Sequence, residues 1–214
     1  MLSAAILTVL NSIHYLLYLL GAKRPITQTT EEEREVLRSY ATGRKRLVEI
    51  GVFHGVNTRI FREVMAHDAI LFAIDPFPRF FFGVRGLGWA RRIAHCEVSK
   101  STNGQVVWVE TTGHAAVNDA RVQPCLPVDF IFIDGDHSWE GIKGDWESWR
   151  EHIMLGGIVC LHDTRNRPGS DSERYMNEII SADPAFELVS SVWSLSVLRR
   201  KDSPIVTKTK VGAP

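Results

Sequence analysis

Asp134, Asp136, His137, His162 and Asp163 are the residues of this chain whose types and spacing suit chemistry. They close two apolar runs. Val128-Asp129-Phe130-Ile131-Phe132-Ile133 leads into Asp134-Gly135-Asp136-His137, and Gly156-Gly157-Ile158-Val159-Cys160-Leu161 leads into His162-Asp163. A short apolar run bounded by Gly reads as a strand buried on both faces, as in parallel sheets. Open α/β sheets bind ligands outside the carboxyl ends of their strands, so if these two strands are neighbours the five side chains converge on one edge. Acids packed so closely repel each other unless a cation or a shared proton offsets the charge. The pattern predicts a polar catalytic edge with an oxygen-loving metal.

A second constellation lies upstream. Val48-Glu49-Ile50-Gly51-Val52-Phe53-His54-Gly55-Val56-Asn57-Thr58 reads as a strand, a glycine-bearing turn and a helix start. Gly51 and Gly55 permit close backbone approach to a ligand at the helix N-terminus. The GxGxxG fingerprint is absent, because Phe53 holds its middle position, so a pyrophosphate cradle is disfavoured. Asp75 ends the next strand, where an acid can accept hydrogen bonds from ribose hydroxyls.

The elements that must position these residues alternate. Strands are expected over Arg46 to Val52, Ala69 to Asp75, Val106 to Glu110, a fourth ending at Asp134 and a fifth ending at Leu161. Helices are expected at Asn57 to Ala66, Trp89 to Ser101, Glu140 to Glu151 and Asp171 to Ser181. Phe186 to Val192 and Ser194 to Arg199 read as a terminal antiparallel hairpin. This order predicts an α/β fold with a doubly wound, mostly parallel sheet and a C-terminal antiparallel hairpin. Upstream, Thr30-Glu31-Glu32-Glu33 offers a capping box for a helix through Tyr40 that stops near Gly43. Residues 1–43 read as an N-terminal helical appendage, 44–200 as the main domain and 201–214 as a flexible tail. Pro76 to Trp89, rich in Phe, Gly and Arg, reads as a loop or lid. Its Phe80, Phe81 and Phe82 suit either core packing or stacking on a sugar.

The 214 residues carry 25 Lys+Arg against 25 Asp+Glu, so no global field recruits nucleic acid or an anionic membrane. Cys96, Cys125 and Cys160 lack CxxC spacing and read as free thiols of a reducing, cytoplasmic protein. Leu2 to Leu20 has no formal charge, but Thr8, Asn11, Ser12, Tyr15 and Tyr18 form a polar stripe. A helix packed on the domain, or on a second copy in a homodimer, is therefore preferred to attachment at a membrane surface, and both to an integral membrane span.

Together these motifs resemble the class I S-adenosylmethionine-dependent methyltransferases. Glu49, Gly51 and Gly55 match the first motif of that family, with Phe53 in place of its central glycine. Asp134-Gly135-Asp136-His137-Ser138-Trp139-Glu140-Gly141, Asp145, Gly156-Gly157 and Leu161-His162-Asp163 resemble the branch of metal-dependent sugar and macrolide O-methyltransferases. The resemblance covers about residues 45 to 200 and implies a seven-stranded, Rossmann-like sheet. It implies that Glu49, Gly51, Phe53, His54, Gly55, Thr58 and Asp134 contribute to the S-adenosylmethionine site, with Asp75 at the ribose and Thr111 and Thr112 near the adenine. It also implies metal ligation by Asp134, with His162 and Asp163 where the family usually has an acid pair.

The chemistry expected is in-line methyl transfer to a hydroxyl, with magnesium or manganese lowering the hydroxyl pKa. His137 is expected as the base, with Asp136 as the alternative. An uncharged sugar or other small-molecule or oligosaccharide hydroxyl is the expected acceptor, because no phosphate nest or basic groove is evident. Simpler roles stand beside these: Asp134 and Asp163 as helix caps, His54 as a solvated turn residue, Trp149 and Cys160 as core, and Asp145 open. A metal-dependent hydrolase could use the same acids, yet it leaves the glycine turn and Asp75 unexplained. A cofactor-binding subunit without turnover is the non-enzymatic alternative, and the intact acid cluster argues against it.

Overall fold

The computed structural model describes residues 4–77, 80–81, 84–85 and 88–201. In chain order the elements are α1 (Ala4–Leu19), α2 (Glu31–Ala41), β1 (Arg46–Ile50), α3 (Val56–Val64), β2 (Ile70–Ile74), the short β3 (Phe80–Phe81) and β4 (Val84–Arg85), and α4 (Trp89–Val98). There follow β5 (Gln105–Val109), α5 (Gly113–Ala116), β6 (Val128–Ile133), α6 (Trp139–Trp149), β7 (Ile153–Leu161), α7 (Asp171–Glu178), β8 (Phe186–Val192) and β9 (Leu195–Arg200). Seven strands form one sheet in the order β5-β2-β1-β6-β7-β9-β8, in which β9 alone points against the other six. The chain steps outward from β1 to β5, then returns to place β6 on the other side of β1. The resulting switch point, between β1 and β6, is where a doubly wound sheet opens a crevice at its carboxyl edge.

Alternation along the strands divides the core into two layers. Val48, Ile50, Ile131, Ile133, Val159 and Leu161 face Ile142, Trp146 and Trp149 of α6. Leu47, Phe130, Phe132 and Cys160 face Leu37 and Ala41 of α2 and Phe61 of α3. Burying each large side chain contributes roughly 1.5–3 kcal/mol, so the two layers fix the strand order and hold the strand ends in place. Helix α2 carries the expected capping box: Thr30 Oγ1 accepts the Glu33 amide at 3.2 Å, and Glu33 Oε2 accepts the Thr30 amide at 2.8 Å.

Several boundaries differ from the sequence reading. Strand one ends at Ile50 instead of Val52, because Gly51 takes φ +90° and turns the chain. Helix α7 stops at Glu178, and a 3-10 turn covers Ile180–Ala182. The one-turn helix α5 has no apolar period to reveal it. Within the expected loop, Phe80–Phe81 pairs antiparallel with Val84–Arg85; the side chains invoked for a lid lie outside the described residues.

Helix α1 packs along α4. Trp89 Nε1 donates to Ser12 Oγ at 2.8 Å, Tyr15 stacks on Trp89 at 4.5 Å, and Tyr18 is buried. Ile13, Leu16 and Leu19 face outward. Among the described residues, no helix is long and apolar enough to cross a membrane, and the three cysteines are free.

Candidate active site

Gly51 brings the two central strands together. Its φ of +90° suits glycine, and a Cβ there would collide with the Asp134 carbonyl. The Asp134 amide donates to the Ile50 carbonyl at 2.8 Å, and the His162 amide donates to the Ile133 carbonyl at 3.0 Å. The ends of β1, β6 and β7 are thereby locked side by side. Gly55 also has positive φ, and a Cβ on it would lie 2.9 Å from Ala94 Cα on α4.

Asp75 shapes the turn. Its Oδ2 accepts the Val52 and Phe53 amides at 2.9 and 3.0 Å, and its Oδ1 accepts the Phe77 amide at 2.7 Å. A carboxylate has about four acceptor sites, so roughly one remains for a ligand hydroxyl. Replacing it, as Asp75→Asn, is expected to weaken S-adenosylmethionine binding by about 1.5–3 kcal/mol, roughly 10- to 100-fold. Calorimetric affinity equal to wild type would remove Asp75 from the cofactor site.

Beside the turn lies a cavity of about 590 Å³, within the size range of small-molecule and cofactor sites. Gly51, Phe53, Asp75, Thr112, Asp134, Asp136 and His137 line it, whereas Glu49, His54, Gly55, Thr58, His162 and Asp163 do not. One wall comes from the segment after α1, through Ile26, Thr27 and Gln28, which motif reading did not identify. His54 holds that wall: its Nδ1 accepts the Ile26 amide at 3.0 Å, its ring stacks on Phe53, and burial together with nearby His14 lowers its pKa to about 4. The ring is therefore a neutral acceptor. Glu49 lies buried behind the turn, and burial pushes its pKa well up, only partly countered by the nearby Thr58 hydroxyl.

Asp145, left open by its sequence position, also lines the cavity. It sits against Gly113, where a Cβ would collide with its carboxylate. Burial pushes its pKa up to about 7, with the His114 amide opposing and Asp136 adding to the rise. Below about pH 4 folded and unfolded chains both hold this proton; from there to about 7 only the folded chain does. Its contribution to stability therefore falls as pH rises through that window, and stays low above it. Asp145→Asn is expected to stabilise the ligand-free protein at about pH 8 by about 1–2 kcal/mol, roughly 2–8 °C in Tm. Parallel Tm–pH curves for variant and wild type would refute it.

At the rim, donor atoms of Asp134, His137 and His162 all lie within 4.8 Å of one another. His162 Nδ1 is 2.8 Å from Asp134 Oδ1, and His137 Nε2 is 3.5 Å from the same oxygen. Asp163 stands beside them, with Oδ1 3.6 Å from His162 Nδ1 and Oδ2 4.0 Å from His137 Nε2. Its φ of +54° turns it toward Arg167, whose Nε donates to Oδ1 at 2.8 Å. Asp136 is exposed, and its Oδ1 accepts the Ser138 amide at 3.0 Å. Behind the cluster, His162 Nε2 faces Glu33 Oε2 at 3.5 Å, a neighbour that sequence reading assigned only to helix capping. Burial disfavours a charged His162 ring, yet Asp134 and Glu33 outweigh it and push its pKa up to about 10.

The group fits a cation. Asp134 Oδ1 and both ring nitrogens of His162 are buried without an aligned hydrogen-bond partner. Adjacent ligands bonded at about 2.1 Å to one ion lie roughly 3 Å apart, close to the separations here. Carboxylate with imidazole suits manganese better than magnesium, which prefers oxygen donors.

Residues 48–164 match a family described as a methyltransferase domain. Among solved structures, the chain resembles the O-methyltransferase TomG from Streptomyces achromogenes, involved in tomaymycin synthesis and solved with S-adenosylmethionine. The TM-score is 0.63 at 12% identity, covering 90% of this chain and 89% of that one. It also resembles CalS11, a TDP-rhamnose O-methyltransferase of calicheamicin biosynthesis, with TM-score 0.53, 16% identity, and coverage of 78% of this chain and 77% of that one. An rRNA methylase from Streptococcus thermophilus shares the fold as well, at TM-score 0.55 and 12% identity, covering 84% and 98% of the two chains. With more than half its length inside the family match, a strand order that opens between β1 and β6, and the glycine turn at that opening, this chain belongs to the class I S-adenosylmethionine-dependent methyltransferases.

Proposed function

We propose that the protein is a cation-assisted O-methyltransferase acting on a hydroxyl of a sugar or glycosylated small molecule. The observation that carries this reading is the Asp134, His137 and His162 cluster, of which Asp134 and His137 line the cavity beside the glycine turn. S-adenosylmethionine supplies the electrophilic methyl group, so the difficulty lies with the acceptor, since a neutral alcohol is a poor nucleophile. Manganese or magnesium, held by Asp134 and His162 with Asp163 adjacent, would supply Lewis acidity that lowers the pKa of the hydroxyl. His162 must give up its proton to serve as a ligand.

His137 takes the acceptor proton at Nε2, which lies 3.5 Å from Asp134 Oδ1 and 4.0 Å from Asp163 Oδ2. Ser172 Oγ donates to the His137 carbonyl at 3.1 Å and steadies its loop. Asp136 is the less suitable base, because one of its oxygens is spent on the amide of Ser138, the residue that caps α6. The Gly51 turn, Asp75 and Thr112, which line the cavity, would hold the cofactor beside this cluster.

A sugar acceptor is supported by exposed Phe53, an apolar ring on the cavity wall, and by the activity of CalS11. Balanced charge, with 25 Lys+Arg against 25 Asp+Glu, disfavours an RNA substrate. Free cysteines support a reducing compartment, and the outward apolar face of α1 supports a dimer.

Stripping the protein with EDTA and following methyl release over a glycoside panel tests the cation. Activity is expected to vanish on chelation and return with manganese. Full activity of the chelated protein would refute cation assistance and leave His137 as the sole activating group.

A further inference from the structure

We propose that Glu33 is a positioning residue for the cation cluster, fixing His162 so that its Nδ1 lone pair faces the site beside Asp134. The inference rests on the cation-assisted reading, and it assigns a residue outside the 48–164 family match.

Helix capping alone does not account for this side chain. A capping Glu needs one oxygen and tolerates full exposure. Here the side chain is 1% exposed, and the second oxygen is fully used. Oε1 accepts both the amide and the hydroxyl of Ser194, at 2.9 and 2.7 Å, from the turn between β8 and β9. Oε2 accepts the Thr30 amide at 2.8 Å. Donors from two separate elements thus anchor the carboxylate.

Opposite this fixed anion sits His162, also 1% exposed, with Nε2 3.5 Å from Glu33 Oε2 and Nδ1 2.8 Å from Asp134 Oδ1. A neutral imidazole carries one N–H and one lone pair. Glu33 and Asp134 can both only accept, so the ligand-free ring is held between two carboxylates; a cation at Nδ1 would displace the proton on that side and leave the N–H on Nε2, toward Glu33. A carboxylate behind a ligating imidazole orients the ring and raises its basicity, and removing such partners typically costs 10- to 100-fold in metal affinity. Helix α2 therefore contributes to the site through a residue about a hundred positions upstream of Asp134.

The test uses the full chain, stripped of metal and titrated with manganese alone, with free ion read by electron paramagnetic resonance. Glu33→Gln keeps the capping geometry, because Gln also closes a capping box, but removes the charge behind His162. Its manganese Kd is expected to rise 10- to 100-fold, with weaker nitrogen coupling to the bound ion. Thr30→Ala removes the cap and leaves the charge, so its Kd should match wild type. An unchanged Kd in Glu33→Gln, or an equal loss in Thr30→Ala, would overturn the assignment to Glu33. Failure of the wild-type protein to bind manganese would overturn the cation reading beneath it. A second measurement needs no variant. Nitrogen-15 correlation spectra of zinc-loaded protein should place the His162 proton on Nε2, and a proton on Nδ1 would overturn the proposal.

Discussion

His137→Ala is expected to bind S-adenosylmethionine and manganese as wild type does, while kcat falls by about two orders of magnitude or more. The effect follows from where the ring stands. Its Nε2 lies 3.5 Å from Asp134 Oδ1 and 4.0 Å from Asp163 Oδ2, beside the groups that would hold the cation and the acceptor hydroxyl. Added imidazole should restore part of the rate, because the lost group is a proton acceptor and not a wall of the cofactor site. The same cluster geometry allows the ring to serve as a third ligand, and manganese affinity separates the roles. A weaker manganese Kd in His137→Ala would make the ring a ligand. Near-normal turnover of that variant beside an inactive Asp136→Asn would move the base to Asp136.

Gly51→Ala is expected to be strongly destabilising, costing about 3–5 kcal/mol and abolishing measurable cofactor binding. Two effects add. The residue holds φ +90°, which L side chains rarely adopt, and its Cβ would meet the backbone of Asp134, which has no rotamer to yield. Separation of β1 from β6 would follow, together with loss of the Val52 and Phe53 amides from Asp75. Gly21→Ala supplies the contrast: φ is +72° there, but the space around it is open, so only the strain of about 1 kcal/mol remains. Urea midpoints at equal m values measure both. Similar losses at the two positions would show that close approach at Gly51 contributes little.

The sheet and its catalytic edge were legible because they rest on local pattern. The apolar runs Phe130 to Ile133 and Ile158 to Leu161, short and ending in Asp134 and His162, read as buried strands, and β6 and β7 do pair in parallel, with Ile133 opposite Leu161. The glycine turn was legible for the same reason, since strand, Gly51 and helix are contiguous. What stayed hidden depends on distant approach. Glu33 already had a complete role as a helix cap, and nothing local announces that its other oxygen meets Ser194, 161 positions away. Asp145 had a helical face but no visible neighbour, because the space it fills is left by the missing side chain of Gly113. The cavity wall at Ile26 to Gln28 depends on His54 capturing a backbone amide 28 positions upstream. Asp163 follows His162 at the end of β7, and nothing local announces that its positive φ turns it toward Arg167.

Isotope-labelled methyl transfer from S-adenosylmethionine, with products resolved by mass spectrometry over matched panels of glycosides and RNA, tests the central claim most directly. Manganese-loaded protein is expected to place the label on a sugar hydroxyl, with no label on RNA and none after chelation. Label on RNA or on nitrogen, or transfer undiminished by chelation, would contradict the account.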